Sequence, residues 1–436
     1  EEMHILWSST DTIAAMRAIR EKTPALLVCK RGAHGCSAFP GVIPNSLDDG
    51  VVGRGFQIEV FNVLGAGDAF MAGFLRGWLR DEPLEMSCEY GNACGAIVVS
   101  RHGCAPAMPT WDELQQFLDG TPRPFRLRDD AALEHVHWAS TRTGVYDDLT
   151  VLAMDHRSQF EDLCRETGAD PARIPAFKAL TLRAVNQLAK PGEHFGVLLD
   201  GRYGMRGLEA AADSPYWIGR PIELPGSRPL AFESSADVAT EVATWPRNHV
   251  VKCLVFYHPD DPIDLLEQQE RQLRRLQDAC RKTRHELLLE VIVSRHGAVD
   301  EHTAARAIQR LYAQGMKPDW WKLEPAADSA TWANVEHAIR SNDPLCRGVL
   351  LLGLQASEAA LAASFRVAAA SPIVKGFAVG RTIFADAAAR WLAGDIDDDA
   401  AVADLAASFG TLVNAWRAAR AEASGDTSKG ITRKAV

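Results

Sequence analysis

At 436 residues, with 47% apolar and 24% charged residues, the chain has the composition of a globular protein long enough for two or more cores. A formal net charge of -10 excludes a general nucleic-acid binder, yet leaves room for a local pocket that takes a phosphorylated metabolite. No run nears the roughly eighteen apolar residues of a membrane span and no signal peptide opens the chain, so a cytoplasmic protein with no membrane partner is expected.

Nine cysteines without a CxxC pair read as reduced thiols, and those in apolar surroundings (Cys29, Cys94, Cys253) read as small core residues. The chain opens directly into a helical pattern at 10–20 and a strand at 25–29, as though it begins part-way through a domain. A turn, Lys30-Arg31-Gly32-Ala33-His34-Gly35, and a strand-rich segment to residue 60 follow.

Next comes Gly65-Ala66-Gly67-Asp68-Ala69-Phe70-Met71-Ala72-Gly73-Phe74. Glycines ahead of a helix leave backbone N–H groups free to face an anion at the helix N-terminus. Asp68 enters the first helical turn, where its carboxylate is either an ordinary cap or a base for a substrate hydroxyl. This string, with the upstream turn at 31–35 and Asn92-Ala93-Cys94-Gly95-Ala96 downstream, resembles the C-terminal part of the PfkB (ribokinase-like) carbohydrate kinases. The resemblance implies a partial ribokinase-like α/β unit. In it Gly65, Ala66 and Gly67 would form the anion hole beside ATP, and Asp68 would be the catalytic base. ATP and Mg would serve a complete kinase domain. The family's usual Asp-Thr ahead of the motif is Val63-Leu64 here, and the sugar-binding lid would lie upstream of residue 1.

A last helix at 111–118 closes this portion, taken as 1–120. Asp119-Gly120-Thr121-Pro122-Arg123-Pro124 then breaks the pattern, and 121–146 reads as a linker in which His135 and His137 alternate with apolar residues, as in an interdomain surface strand, with a ligand pair as the alternative. From 147 to 425, apolar runs at 149–154, 195–199, 216–222, 250–257, 287–293, 320–323, 348–352 and 374–379 alternate with amphipathic stretches. Eight strands alternating with helices over roughly 250 residues predict a (β/α)8 TIM barrel. Residues 426–436 read as a flexible tail.

Such a barrel places its chemistry at the strand C-terminal ends. Charged residues gather there: Asp155-His156-Arg157, Asp200-Gly201-Arg202, Glu223, Lys252, Glu290, Lys322 and Gly380-Arg381. A lysine inside an apolar strand, as in Trp320-Trp321-Lys322-Leu323, is costly to bury as a cation. A nucleophilic lysine must be a free amine, and lowering its pKa from about 10.4 to about 7.5 takes roughly 4 kcal/mol, which burial and a second ammonium can supply. A carboxyl such as that of Glu290 would then move protons while an iminium carbon serves as electron sink.

The strands carrying Lys252, Glu290 and Trp321-Lys322-Leu323-Glu324-Pro325, with Met154-Asp155-His156-Arg157 and Asp200-Gly201-Arg202-Tyr203-Gly204, resemble tagatose-bisphosphate-type class I aldolases. The resemblance implies that Lys322 forms a Schiff base, with Lys252 open as the alternative, and that Glu290 is the acid/base. It further implies substrate or phosphate contacts from Asp155, Arg157, Asp200, Gly380 and Arg381, and no cofactor or metal for the barrel. The order of the two units resembles bacterial fusion proteins of myo-inositol catabolism. Those phosphorylate 5-dehydro-2-deoxygluconate and cleave its 6-phosphate, so a small phosphorylated sugar acid is the expected partner, and a homo-oligomer the expected state. A metal-dependent aldolase drawing on His156, His258, Asp155 and Asp260, or a barrel that only senses a phosphometabolite, stay open as alternatives.

Overall fold

The computed structural model describes residues 11–234 and 237–425, in two compact units that part between Thr143 and Gly144. The tail expected at 426–436 lies outside the described residues.

In the first unit, Asp11 caps the helix Thr12–Arg20 by accepting from the N–H groups of Ile13 and Ala14. Strands β1 (Leu27–Lys30), β2 (Cys36–Phe39) and β3 (Val51–Gly53) form an antiparallel sheet in that order. Helices Ala66–Trp78 and Leu84–Val99 pack with their backbones close, because glycines face the contact. A Cβ on Gly73 would meet the Tyr90 carbonyl at 2.5 Å, and one on Gly77 would meet Ser87 Oγ at 2.6 Å. The segment read as a linker carries the helix Ala131–Thr141, capped by Asp130, and belongs to this unit. His135 and His137 are therefore helical and buried, correcting the surface-strand reading. His137 is held by Glu113 at 2.9 Å and by the Pro106 carbonyl at 3.1 Å, tertiary partners that override a short alternation.

The second unit is a closed barrel of eight parallel strands: β4 (Leu149–Met154), β5 (His194–Leu199), β6 (Trp217–Pro221), β7 (His249–Phe256), β8 (Leu287–Ile292), β9 (Trp320–Leu323), β10 (Gly348–Leu351) and β11 (Val374–Val379). Helices alternate with the strands, and the amphipathic stretches emerge as Ile263–Thr283, Thr303–Ala313, Ser329–Asn342 and Glu358–Ala368. Alternation with a period of two sorts each strand. Leu149, Val151, Leu198, Trp217, Leu288, Trp320 and Leu350 fill the barrel interior. Val197, Val251, Leu289, Trp321 and Val349 face the helical layer. Trp217 and Trp320 meet edge to face in the barrel interior, 6.3 Å apart.

Closure depends on Gly376, paired with Leu149 where β11 meets β4. Its φ is +148°, and a Cβ there would lie 1.8 Å from the Leu149 carbonyl oxygen. Gly376→Ala is expected to destabilise the barrel by about 3 kcal/mol, through a backbone clash at an unfavourable φ. Urea unfolding of the barrel checks it.

Candidate functional site

The interior alternation carries upward from the tryptophan layer to a set of charges. Lys322 lies two residues beyond Trp320 and Glu290 two beyond Leu288, so both project inward. Glu290 and Lys322 are register partners on adjacent strands, and Lys322 Nζ lies 3.2 Å from Glu290 Oε2. Lys252, two beyond Val250, sits among three carboxylates: Glu223 at 2.9 Å, Glu290 at 3.0 Å and Asp155 at 3.1 Å. Glu223 also takes the backbone N–H of Leu254 at 3.2 Å, and Arg157 bridges it at 3.2 Å to Glu233 at 2.5 Å. Lys252, Glu290 and Lys322 are all buried.

Burial opposes every charge here, so the sign of each shift shows which neighbours win. For Lys252 burial pushes the pKa down, but Asp155, Glu223 and Glu290 hold it well above the ordinary lysine value. Burial raises Glu290 while Lys252 and Lys322 pull it below the usual carboxylate range, and Lys252 and His156 do the same, more strongly, for Asp155. Lys252 is thus a firmly held cation, ill-suited to attack a carbonyl, whereas among the described residues Lys322 pairs with a single carboxylate, the shared Glu290.

The residues assigned to substrate contacts divide. Asp155 keeps one oxygen, Oδ1, without a hydrogen-bond partner, 3.6 Å from His156 Nδ1, which also lacks one. Gly380 precedes the helix Arg381–Ala393, and a Cβ on it would strike the Ala153 carbonyl at 2.3 Å and His156 at 2.6 Å. Arg381 opens that helix, whose first N–H groups favour an anion. Asp200 and Arg157 are already engaged within the protein. Asp200 is fully buried, with Oδ2 taken by Lys178 and Oδ1 by the N–H groups of Arg202 at 2.9 Å and Tyr203 at 2.7 Å. Both terminal nitrogens of Arg157 are spent on Glu223 and Glu233.

Sequence reasoning missed Lys178, fully buried on the short helix Ile174–Ala179 and donating also to the His156 carbonyl at 2.6 Å. Nothing in the local pattern marks it, since its partners come from the ends of β4 and β5. Glu223 was visible as a charge at a strand end, and only the fold shows it at the centre of the network.

In the first unit Gly65 adopts a left-handed φ of +83° as the N-cap of the helix Ala66–Trp78, which places Ala66, Gly67 and Asp68 in its first turn. Asp68 is exposed, and Lys30 Nζ lies 3.2 Å from where a Gly67 Cβ would be.

Burial also shapes the acid limb of stability. His156 and His249 are each pushed from 6.5 to about 4, mainly by burial. The unfolded chain binds their protons near the ordinary value while the folded chain refuses them until about 4. Stability should therefore fall as pH drops from 6.5 toward 4. Thermal melts at pH 7.5 and 5 check this, and His249→Asn should flatten the slope.

Residues 113–420 match a family described as uncharacterized proteins conserved in bacteria (DUF2090), and residues 1–111 match the pfkB family of carbohydrate kinases. A 5-dehydro-2-deoxygluconokinase of Geobacillus kaustophilus is 35% identical over 94 residues, 22% of this chain and 27% of that protein. An ATP-dependent ribose-1-phosphate kinase of Halopiger xanaduensis is 47% identical over 64 residues, 15% of this chain and 21% of that protein. The chain thus spans about a quarter of the length of the curated relatives it matches. Among solved structures, a fructose-bisphosphate aldolase from Plasmodium falciparum aligns at 13% identity with a TM-score of 0.43, over 71% of this chain and 98% of its own.

Proposed function

Because the chain belongs to the DUF2090 family of bacterial proteins and carries a PfkB-type kinase segment ahead of its barrel, we propose that the barrel is a lysine-dependent carbon–carbon lyase acting on a phosphorylated keto sugar acid. The observation that carries this reading is the buried Lys322–Glu290 pair beside a separately neutralised Lys252. The substrate is 5-dehydro-2-deoxygluconate 6-phosphate, and its products are dihydroxyacetone phosphate and malonate semialdehyde.

Lys322 attacks the C5 ketone, and water leaves as the iminium forms. Glu290, the carboxylate at 3.2 Å, receives the amine's proton and returns it to the departing hydroxyl. The C3–C4 bond then breaks as the C3 hydroxyl loses its proton, leaving malonate semialdehyde and an enamine on Lys322. Asp155 Oδ1, which has no hydrogen-bond partner among the described residues, accepts from a substrate hydroxyl. Protonation of the enamine at C4 and hydrolysis release dihydroxyacetone phosphate. The phosphate rests at the start of the helix Arg381–Ala393, with Gly380 and Arg381 supplying amide donors and positive charge.

Of the side chains a metal-dependent alternative would draw on, Asp155 Oδ2 pairs with Lys252 at 3.1 Å and His258 Nε2 with the Ala298 carbonyl at 2.9 Å. In the first unit, the Gly65–Gly67 turn with Lys30 beside it fits the phosphates of ATP, and Asp68 fits the base role in a complete kinase that takes ATP and Mg. Borohydride reduction in the presence of dihydroxyacetone phosphate, followed by peptide mapping, tests the lyase. A stable adduct within the peptide bearing Lys322 is expected. Absence of any lysine adduct, or an adduct on Lys252, overturns the assignment.

A further inference from the structure

The reaction above leaves one proton without a carrier, the one that reaches C4 of the enamine. We propose that His156 delivers it, receiving it in relay from Asp155, and so is a second proton-transfer residue of the barrel. This rests on the lyase reading above.

Two unpaired atoms meet at the end of β4. Asp155 Oδ1 and His156 Nδ1 are both buried, neither has a hydrogen-bond partner among the described residues, and they stand 3.6 Å apart. With the ring hydrogen on its other nitrogen, Nδ1 is an acceptor facing an acceptor, a gap that one proton closes. The second oxygen of Asp155 is taken by Lys252 at 3.1 Å, so a proton reaching this carboxylate lands on Oδ1.

The surroundings set the ring at the barrel mouth. Ala378 points into the barrel interior, and Gly380 is the next residue on that face. A Cβ on Gly380 would lie 2.6 Å from His156 Cε1, so the glycine leaves the space that the imidazole fills. Phe384 meets the ring edge to face at 5.3 Å, and Lys178 Nζ donates to the His156 carbonyl at 2.6 Å, which fixes ring and backbone. The His156 side chain is still 23% exposed, against 6% for Asp155 and 5% for Lys322, so it is the more open to an incoming substrate.

Charge suits the role as well. Burial holds the imidazole down to about 4; Asp155 pulls the other way, and Lys322, Lys252 and Arg381 add to the depression in that order. The ring is therefore uncharged at neutral pH and free to take a proton. An imidazolium formed among these cations is a strong acid, ready to give a proton to carbon.

The steps balance without an outside oxidant or reductant. As C3–C4 breaks, its bonding pair becomes the C4=C5 bond of the enamine and the C3 hydroxyl proton passes to Asp155 Oδ1. That proton moves to His156 Nδ1, and the imidazolium gives the proton of its other nitrogen to C4. The enamine pair becomes the new C4–H bond, which restores the iminium on Lys322 for hydrolysis.

The test uses dihydroxyacetone phosphate in heavy water. Once its iminium forms, the wild-type protein should exchange hydrogen for deuterium at the hydroxymethyl carbon, read by NMR. His156→Gln and His156→Ala are measured beside it, with thermal melts confirming that each variant folds. Both are expected to keep borohydride trapping on Lys322 while exchange falls at least about a hundredfold. Added imidazole should restore exchange in His156→Ala, a gain that a merely structural role would not give. Exchange at the wild-type rate in a folded variant that still traps overturns the proposal. So does loss of trapping in step with exchange, which moves His156 to formation of the iminium. A wild-type protein that forms no adduct sinks the lyase itself, whereas an adduct with unmoved exchange in the variants sinks only the role of His156.

Discussion

Lys322→Ala is expected to remove carbon–carbon cleavage almost entirely, by a factor on the order of 10⁴ or more, and to abolish borohydride trapping. A loss of that size corresponds to roughly 5.5 kcal/mol of transition-state stabilisation. It is reasonable for a side chain that carries the intermediate covalently. The fold should survive, because among the described residues Lys322 has one ion-pair partner, Glu290, which keeps Lys252 at 3.0 Å after the change. A circular dichroism melt close to that of the wild type, together with a silent trapping assay, is the expected pattern. Binding of a phosphorylated ligand should persist, since Gly380 and Arg381 are untouched. Residual cleavage within tenfold of the wild type would remove Lys322 from the mechanism and return attention to a sensor or to Lys252.

Lys252→Met should act on stability as much as on turnover. The ammonium lies 2.9 to 3.1 Å from three carboxylates whose side chains are only 5–6% exposed. Deleting it leaves buried negative charge with too few cations, a change expected to cost about 3–5 kcal/mol. The pH dependence gives the sharper test. In the wild type, Lys252 is held above the ordinary lysine value, so its stabilisation is complete below the unfolded lysine pKa and is lost as pH rises through the folded one. Asp155 and Glu290 are held low, so theirs is complete above the unfolded carboxylate pKa and is lost as pH falls through the folded values. Between those limits the cluster adds no pH dependence of its own. In Lys252→Met, Asp155 and Glu290 would instead welcome a proton, and lowering the pH from about 7 to about 5 should raise the melting temperature relative to wild type. A variant whose melting temperature falls in parallel with the wild type would show that the carboxylates had found other partners.

The two halves of the chain show different kinds of legibility. Most barrel strands are short apolar runs closed by a polar or charged residue, and such a run reports its own alternation without help from the rest of the protein. That is why β9 could be bounded at 320–323 from sequence, and why Lys322 could be set on the same face as Trp320. The segment at 121–146 had no comparable signal. Its histidines took their place from Glu113 and Pro106, partners that a local pattern does not contain.

The same distinction governs the site. Which residues stand at the strand ends, and so the inventory Asp155, Glu223, Lys252, Glu290 and Lys322, followed from periodicity alone, because side-chain direction along a strand is a local property. Which lysine is a clamped cation, that Asp200 and the terminal nitrogens of Arg157 are already engaged, and that Lys178 is buried against Asp200 were decided only by tertiary structure. Charge and hydrogen bonding act across a few ångströms of space, and closing the barrel brings β4, β6, β7 and β8 to one mouth from positions as far apart in the chain as Asp155 and Glu290.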